Sequence, residues 1–170
     1  LKNSDALYSA SKAHGHIDIL IDPMAHEDWE QLDAATLLDP ANISPLHDKI
    51  FAENKSLAPT LLRVPHGRFE SVEAWLEISQ DEGRSSLPTP RLVCAFISVD
   101  TPLHRLNSDL SQPLTAQVDR QALYFRYFDP RVFHHLSRLL TSEQWAFLLP
   151  ASLQWRHVCW NGQLVTNQSA

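Results

Sequence analysis

Residues 92–97 (LVCAFI) form an unbroken apolar run of strand length. A strand with one wet face alternates apolar and polar side chains. A run without alternation therefore suits a central strand covered on both faces. The rest of the chain must supply strands beside it and helices over it. The pattern on either side does so. Residues 16–21 (HIDILI) and 60–65 (TLLRVP) read as strands stopped by Asp22-Pro23 and Pro65. Residues 4–14 read as a helix that Ser4 or Asp5 caps and Gly15 ends. A second helix is expected within 26–39, a short one over about 46–54, and another over about 71–80, where Val72, Trp75, Leu76 and Ser79 share a face. Residues 40–45 and 82–90 read as loops.

Beyond the apolar run, Thr101-Pro102 opens a helix with its buried stripe on Leu103, Leu106 and Leu110. Residues 114–118 and 122–128 read as a hairpin about Asp119–Gln121, with Leu123, Phe125 and Tyr127 facing one way and Tyr124, Arg126 and Phe128 the other. Asp129-Pro130 starts a helix with Val132, Phe133, Leu136, Leu139 and Leu140 inward. Thr141 and Gln144 have capping-box spacing for another at 142–149. Residues 153–165 suit a terminal hairpin around Asn161-Gly162. The expected class is α/β, with α+β left open: a mixed sheet flanked by helices, the helices gathering after residue 129. At 170 residues the chain is expected to be one domain, with a core over about 16–128 and a helical and terminal part over 129–170.

Composition narrows the chemistry. The net charge of -6 argues against a basic nucleic-acid footprint, and no apolar run approaches bilayer length. With 4 glycines there is no GxGxxG or P-loop pattern. Two cysteines, Cys94 and Cys159, are too few for a disulfide scaffold, so the reducing cytoplasm is the expected setting. Nine histidines invite a metal or hydrolytic reading, but HExxH and GxSxG are absent. His14, His16 and His26 lie close in sequence without a completing carboxylate set. His134 points away from the leucine stripe, and Cys159 has only His157 as a near base. The expectation is accordingly no metal, no cofactor and no catalytic residue. Asp18, inside the apolar strand 16–21, is expected to face solvent from one side of the sheet. Trp29, Trp155 and Trp160 are not committed to a helical core face and are candidate interface anchors.

The most specific segment is LYFRYFDPRVFHHLSRLL at 123–140. Asp129 is placed to cap the following helix. Arg126 can pair with it, whereas Arg131 lies in the first turn, where the helix dipole disfavours a cation. Either these charges lock helix to sheet or they touch a partner. The run Phe125, Arg126, Tyr127, Phe128, Asp129, Pro130, Arg131 and Val132 resembles the hallmark of the type VI secretion adaptor chaperones, a family catalogued as a domain of unknown function. The resemblance spans about 17–160 and is specific over 123–155. It departs at Pro23, where the family often has Gly, and in lacking further helical sequence beyond this region. It implies a non-enzymatic protein of the bacterial cytoplasm that binds a toxic effector and delivers it to the spike protein. Arg126, Asp129, Pro130 and Arg131 would serve as binding or structural residues.

Overall fold

A computed structural model describes residues 3–26, 28–32, 35, 38–85, 89–150 and 152–167. Among these residues the chain forms eight strands and five α-helices. Strands β1 (His16–Ile21), β2 (Ile43–Pro45), β3 (Thr60–Pro65), β4 (Val93–Ser98), β7 (Gln154–Val158) and β8 (Leu164–Asn167) make one sheet in the order β2-β3-β1-β4-β7-β8. Strands β5 (Thr115–Val118) and β6 (Gln121–Tyr124) form a separate hairpin. The helices are α1 (Asn3–His14), α2 (Phe69–Arg84), α3 (Leu103–Ser111), α4 (Pro130–Leu139) and α5 (Ser142–Leu148).

The apolar run behaves as its pattern demands. β4 lies between β1 and β7 and is buried at every position. Alternation along the strands sends side chains to two cores. Ile17, Ile19, Ile21, Leu62, Val64 and Phe96 meet Leu7 and Ala10 of α1 and Val72, Trp75 and Leu76 of α2 on one face. Leu20, Leu61, Ala95, Ile97 and Trp155 meet Leu106 and Leu110 of α3, Phe133 and Leu136 of α4, and Leu148 of α5 on the other. In the β1–β4 register Leu20 faces Ala95 and Ile21 faces Val93, so Cys94 is the extra residue of a bulge. The thiol is buried there, and burial pushes its pKa well up.

The class is mixed α/β, but the sheet, expected to be mixed in direction, is antiparallel at every pairing. The run of strands joined by helical crossovers misled that expectation. α4 and α5 follow one another after residue 129, yet the longest helices, α1 and α2, lie earlier, and the chain returns after α5 to add β7 and β8 to the sheet.

Local readings differ in detail. The helix expected within 26–39 shows a 3-10 turn at Trp29–Gln31, while residues 27, 33–34 and 36–37 lie outside the described residues. The short helix expected over 46–54 is replaced by 3-10 turns at Lys49–Phe51 and Lys55–Leu57, and the loop 40–45 contains β2. α2 runs on to Arg84 because Glu82 is held in place, accepting hydrogen bonds from the backbone N–H of Leu92 (2.6 Å) and Val93 (3.2 Å). That shortens the expected loop 82–90, of which residues 86–88 lie outside the described residues. The first hairpin turns on Asp119 and Arg120, both at positive φ, and its second strand stops at Tyr124 rather than 128. Having left the strand, the chain puts Tyr127 and Phe128 into the same core instead of on opposite faces, and the Tyr127 hydroxyl donates to Leu110 O at 2.8 Å.

Candidate functional site

The specific segment 125–132 forms the joint between β6 and α4. Asp129 accepts a hydrogen bond from the Arg131 backbone N–H at 3.0 Å and so caps α4, with Pro130 in its first turn. The same carboxylate takes a two-pronged contact from the Arg131 side chain, Nε to Oδ1 at 3.0 Å and Nη2 to Oδ2 at 2.6 Å. Arg131 also donates to Thr89 O at 3.1 Å. Arg126 donates to Asp22, the residue that ends β1, and its Nη2 lies 3.7 Å from Asp129 Oδ2. Two carboxylates and two guanidinium groups thus alternate across the joint. They tie α4 to the end of β1 and to the segment leading into β4.

The two carboxylates respond oppositely. Burial pushes the Asp22 carboxyl above its ordinary range, and the Arg126 charge and the Met24 N–H only partly offset this. Burial would raise Asp129 too, but the hydrogen bonds and charge of Arg131 outweigh it and hold that carboxyl below the usual range. Asp18 corrects the expectation of a solvent-facing acid. It is fully buried and receives Nε and Nη2 of Arg63 at 2.7 and 2.8 Å. Pairing, not exposure, resolves its burial.

Of the three candidate interface tryptophans, two belong to the interior. Trp155 is 0% exposed and stacks on Phe133 with ring centroids 4.6 Å apart, and Trp29 is 5% exposed in the opposite core. Both faces of β7 are covered, which removes the outward side that the interface reading needed. Trp160 alone is exposed, at 67%.

A second cluster gathers at the far end of β7. His157 and Cys159 approach His134 of α4: Cys159 Sγ lies 3.7 Å from His157 Nε2 and 3.9 Å from His134 Nδ1. Burial, aided by His134 and Arg91, pushes the His157 imidazole down to about 4, so it is neutral near pH 7. Burial pushes the Cys159 thiol up, and Arg91 works against that. A cleft of about 110 Å³ opens beside them, walled by Arg91, Arg131, His135 and Trp160. His134 was expected to be a solvent-facing histidine. It is half-buried instead because the turn after β7 folds over α4, setting Trp160 edge-on to its ring at 5.0 Å. The His-Val-Cys spacing at 157–159 was the available signal, but its third member sits on another element. His14 and His16 instead meet acids, His14 Nδ1 at 2.7 Å from Asp100 and His16 Nε2 at 3.4 Å from Asp18. Neither they nor His26 belong to a group of three ligand-type side chains among the described residues.

The third feature is apolar. A cleft of about 480 Å³ runs between the β5–β6 hairpin and α5, lined by Pro113, Ala116, Phe125, Leu140, Phe147 and Leu148. Of these, Phe147 is 60% exposed.

The family model described as a domain of unknown function (DUF4123) matches residues 17–146, well over half of the chain. The chain belongs to the DUF4123 family. No curated protein and no solved structure matches it. The DUF4123 match takes in Asp22 and the whole charged joint at 126–131 and ends before His157 and Cys159. No described helix of this DUF4123 protein is long and apolar enough to cross a membrane.

Proposed function

We propose that this DUF4123 protein is an adaptor chaperone that binds a type VI secretion effector in the bacterial cytoplasm and helps load it onto the spike protein, without doing chemistry itself. Two considerations support the reading: the resemblance carried by Phe125–Val132, and the division of labour at the surface. Within that run Arg131 forks onto Asp129, while Arg126 pairs with Asp22, and these contacts tie α4 to the sheet. Open to a partner is the apolar cleft between the hairpin and α5, where the lining residue Phe147 is largely exposed. Exposed apolar side chains grouped beside a concave surface suit a protein ligand. That cleft is the observation that carries the reading.

The test is a pull-down from the native cytoplasm with the wild-type chain and with Phe147→Asp as baits, read by mass spectrometry. The reading expects a spike protein and a toxin-like effector with the wild type, and loss of at least one with Phe147→Asp at unchanged stability. A wild-type bait that recovers neither would sink it. A second reading, a small metal-dependent or hydrolytic enzyme using the histidines, draws its support from the His134–His157–Cys159 group alone.

A further inference from the structure

We propose that His134, His157 and Cys159 form a three-ligand site for a divalent transition-metal ion of the zinc class, a site independent of the adaptor reading. His157 and Cys159 stand two residues apart at the end of β7, so their side chains leave the same face. His134 meets them from α4. One donor atom from each of the three lies within 4.8 Å of the other two, and the sulfur stands 3.7 and 3.9 Å from its nitrogen neighbours. An ion held at about 2.3 Å from sulfur and about 2.0–2.1 Å from nitrogen, with tetrahedral angles, sets sulfur and nitrogen ligands roughly 3.5 Å apart. The observed gaps match that within a few tenths of an ångström. They are long for hydrogen bonds and of the right size for a bridging ion.

A second observation points to a ligand. His157 is 1% exposed, its Nδ1 has no partner among the described residues, and its Nε2 faces the Cys159 sulfur. The nearest polar neighbour of Nε2 is a thiol sulfur at 3.7 Å, and a metal would replace that weak contact with a strong bond, while Nδ1 would keep the ring's proton.

The donor set selects the ion. A thiolate with two imidazoles favours zinc and its borderline or soft neighbours over magnesium or calcium. Binding releases the thiol proton of Cys159 to solvent, leaving a thiolate–metal bond. Arg91 stands on the cleft wall beside the sulfur. With three protein ligands, the fourth position is left for a water or a small anion in the cleft, where Arg91 and Arg131 lie.

The test uses the full chain, chelator-stripped and reduced, titrated with Co2+ and then Zn2+. The expected result is a one-equivalent cobalt spectrum with a thiolate charge-transfer band and tetrahedral ligand-field bands, bleached by zinc. Cys159→Ser removes the charge-transfer band. His134→Ala, at a half-buried position, weakens binding by at least roughly tenfold, the loss that even an outer-shell change brings. His104→Ala, exposed on α3, leaves the spectrum unchanged. His157→Ala is not relied upon, because its burial couples it to folding; circular dichroism checks that the other variants are folded. A wild-type chain without the cobalt bands overturns the proposal. So does a charge-transfer band that survives in Cys159→Ser, or an unchanged affinity in His134→Ala.

Discussion

Arg126 reaches back 104 positions to the carboxylate of Asp22, joining the start of the Asp-Pro-Arg turn to the end of β1. Asp22 is fully buried, and Arg126 is the cation paired with it. Removing one partner of such a pair leaves an uncompensated buried charge, at a cost of about 3–5 kcal/mol. Arg126→Ala is expected to lose about 3 kcal/mol at neutral pH in urea unfolding, since the guanidinium is partly exposed. Burial already raises the Asp22 pKa, so its ionised form destabilises the fold above the ordinary carboxylate range, and the penalty fades as pH falls through the folded value. The deficit of Arg126→Ala therefore shrinks in acid, and adding Asp22→Asn restores part of the lost stability. A deficit independent of pH, with no rescue, would mean that the pair is not the cause.

Asp129 has the opposite sign. Its folded pKa lies below its unfolded value, so the carboxylate contributes stability above the ordinary range and loses it as pH falls through the folded value. Asp129→Ala removes the cap, worth about 0.5–2 kcal/mol, and also frees the Arg131 fork, so the loss is expected at about 2 kcal/mol. Asp129→Asn keeps a capping oxygen but not the charge. It should fall between wild type and Asp129→Ala at neutral pH and show a shallower loss of stability on acidification. Stability measured by urea midpoint from neutral pH downward decides this, and parallel curves for wild type and Asp129→Asn would refute it.

Trp155 and Trp160 separate core from surface. Trp155 stacks on Phe133, and its indole N–H has no hydrogen-bond partner among the described residues. Trp155→Ala is expected to cost about 3–5 kcal/mol, whereas Trp155→Phe, which removes the unpartnered donor and keeps a ring, should cost less than about 1.5 kcal/mol. Trp160→Ala should stay within roughly 0.5 kcal/mol of wild type, as surface changes do. Thermal midpoints for the three variants check the order.

What the sequence revealed and what it hid divide by range. The buried run at 92–97, the Asp129 cap, the Thr141–Gln144 capping box and the turn at Asn161-Gly162 are written within a few neighbouring residues, and the fold contains all of them. The pairs Asp18–Arg63 and Asp22–Arg126 are not, because their partners lie 45 and 104 positions apart. Strand direction is a matter of long-range pairing as well, and it was misread for that reason. Trp155 was misplaced because a strand covered on both faces carries no outward side to recognise. His134 completes the Cys159 cluster only through the docking of α4 against the end of β7, which no local spacing encodes.

The end of β7 has a further requirement at Gly83. It lies inside α2, where an added Cβ would stand 2.6 Å from the carbonyl oxygen of Cys159 and 2.9 Å from Val158 Cγ1. The first contact is with backbone and cannot be relieved by a rotamer change, so α2 or the end of β7 must move. Gly83→Ala would add helix propensity of about 1 kcal/mol on an open helix. Here the crowding should outweigh it, for a net loss of about 1–3 kcal/mol by chemical denaturation. Gly67, where an added Cβ would meet nothing within 4 Å, is the internal comparison. Gly67→Ala should leave the midpoint near that of wild type, and an equal loss at both positions would show that glycine flexibility, rather than the close approach of α2 to Cys159, sets the effect.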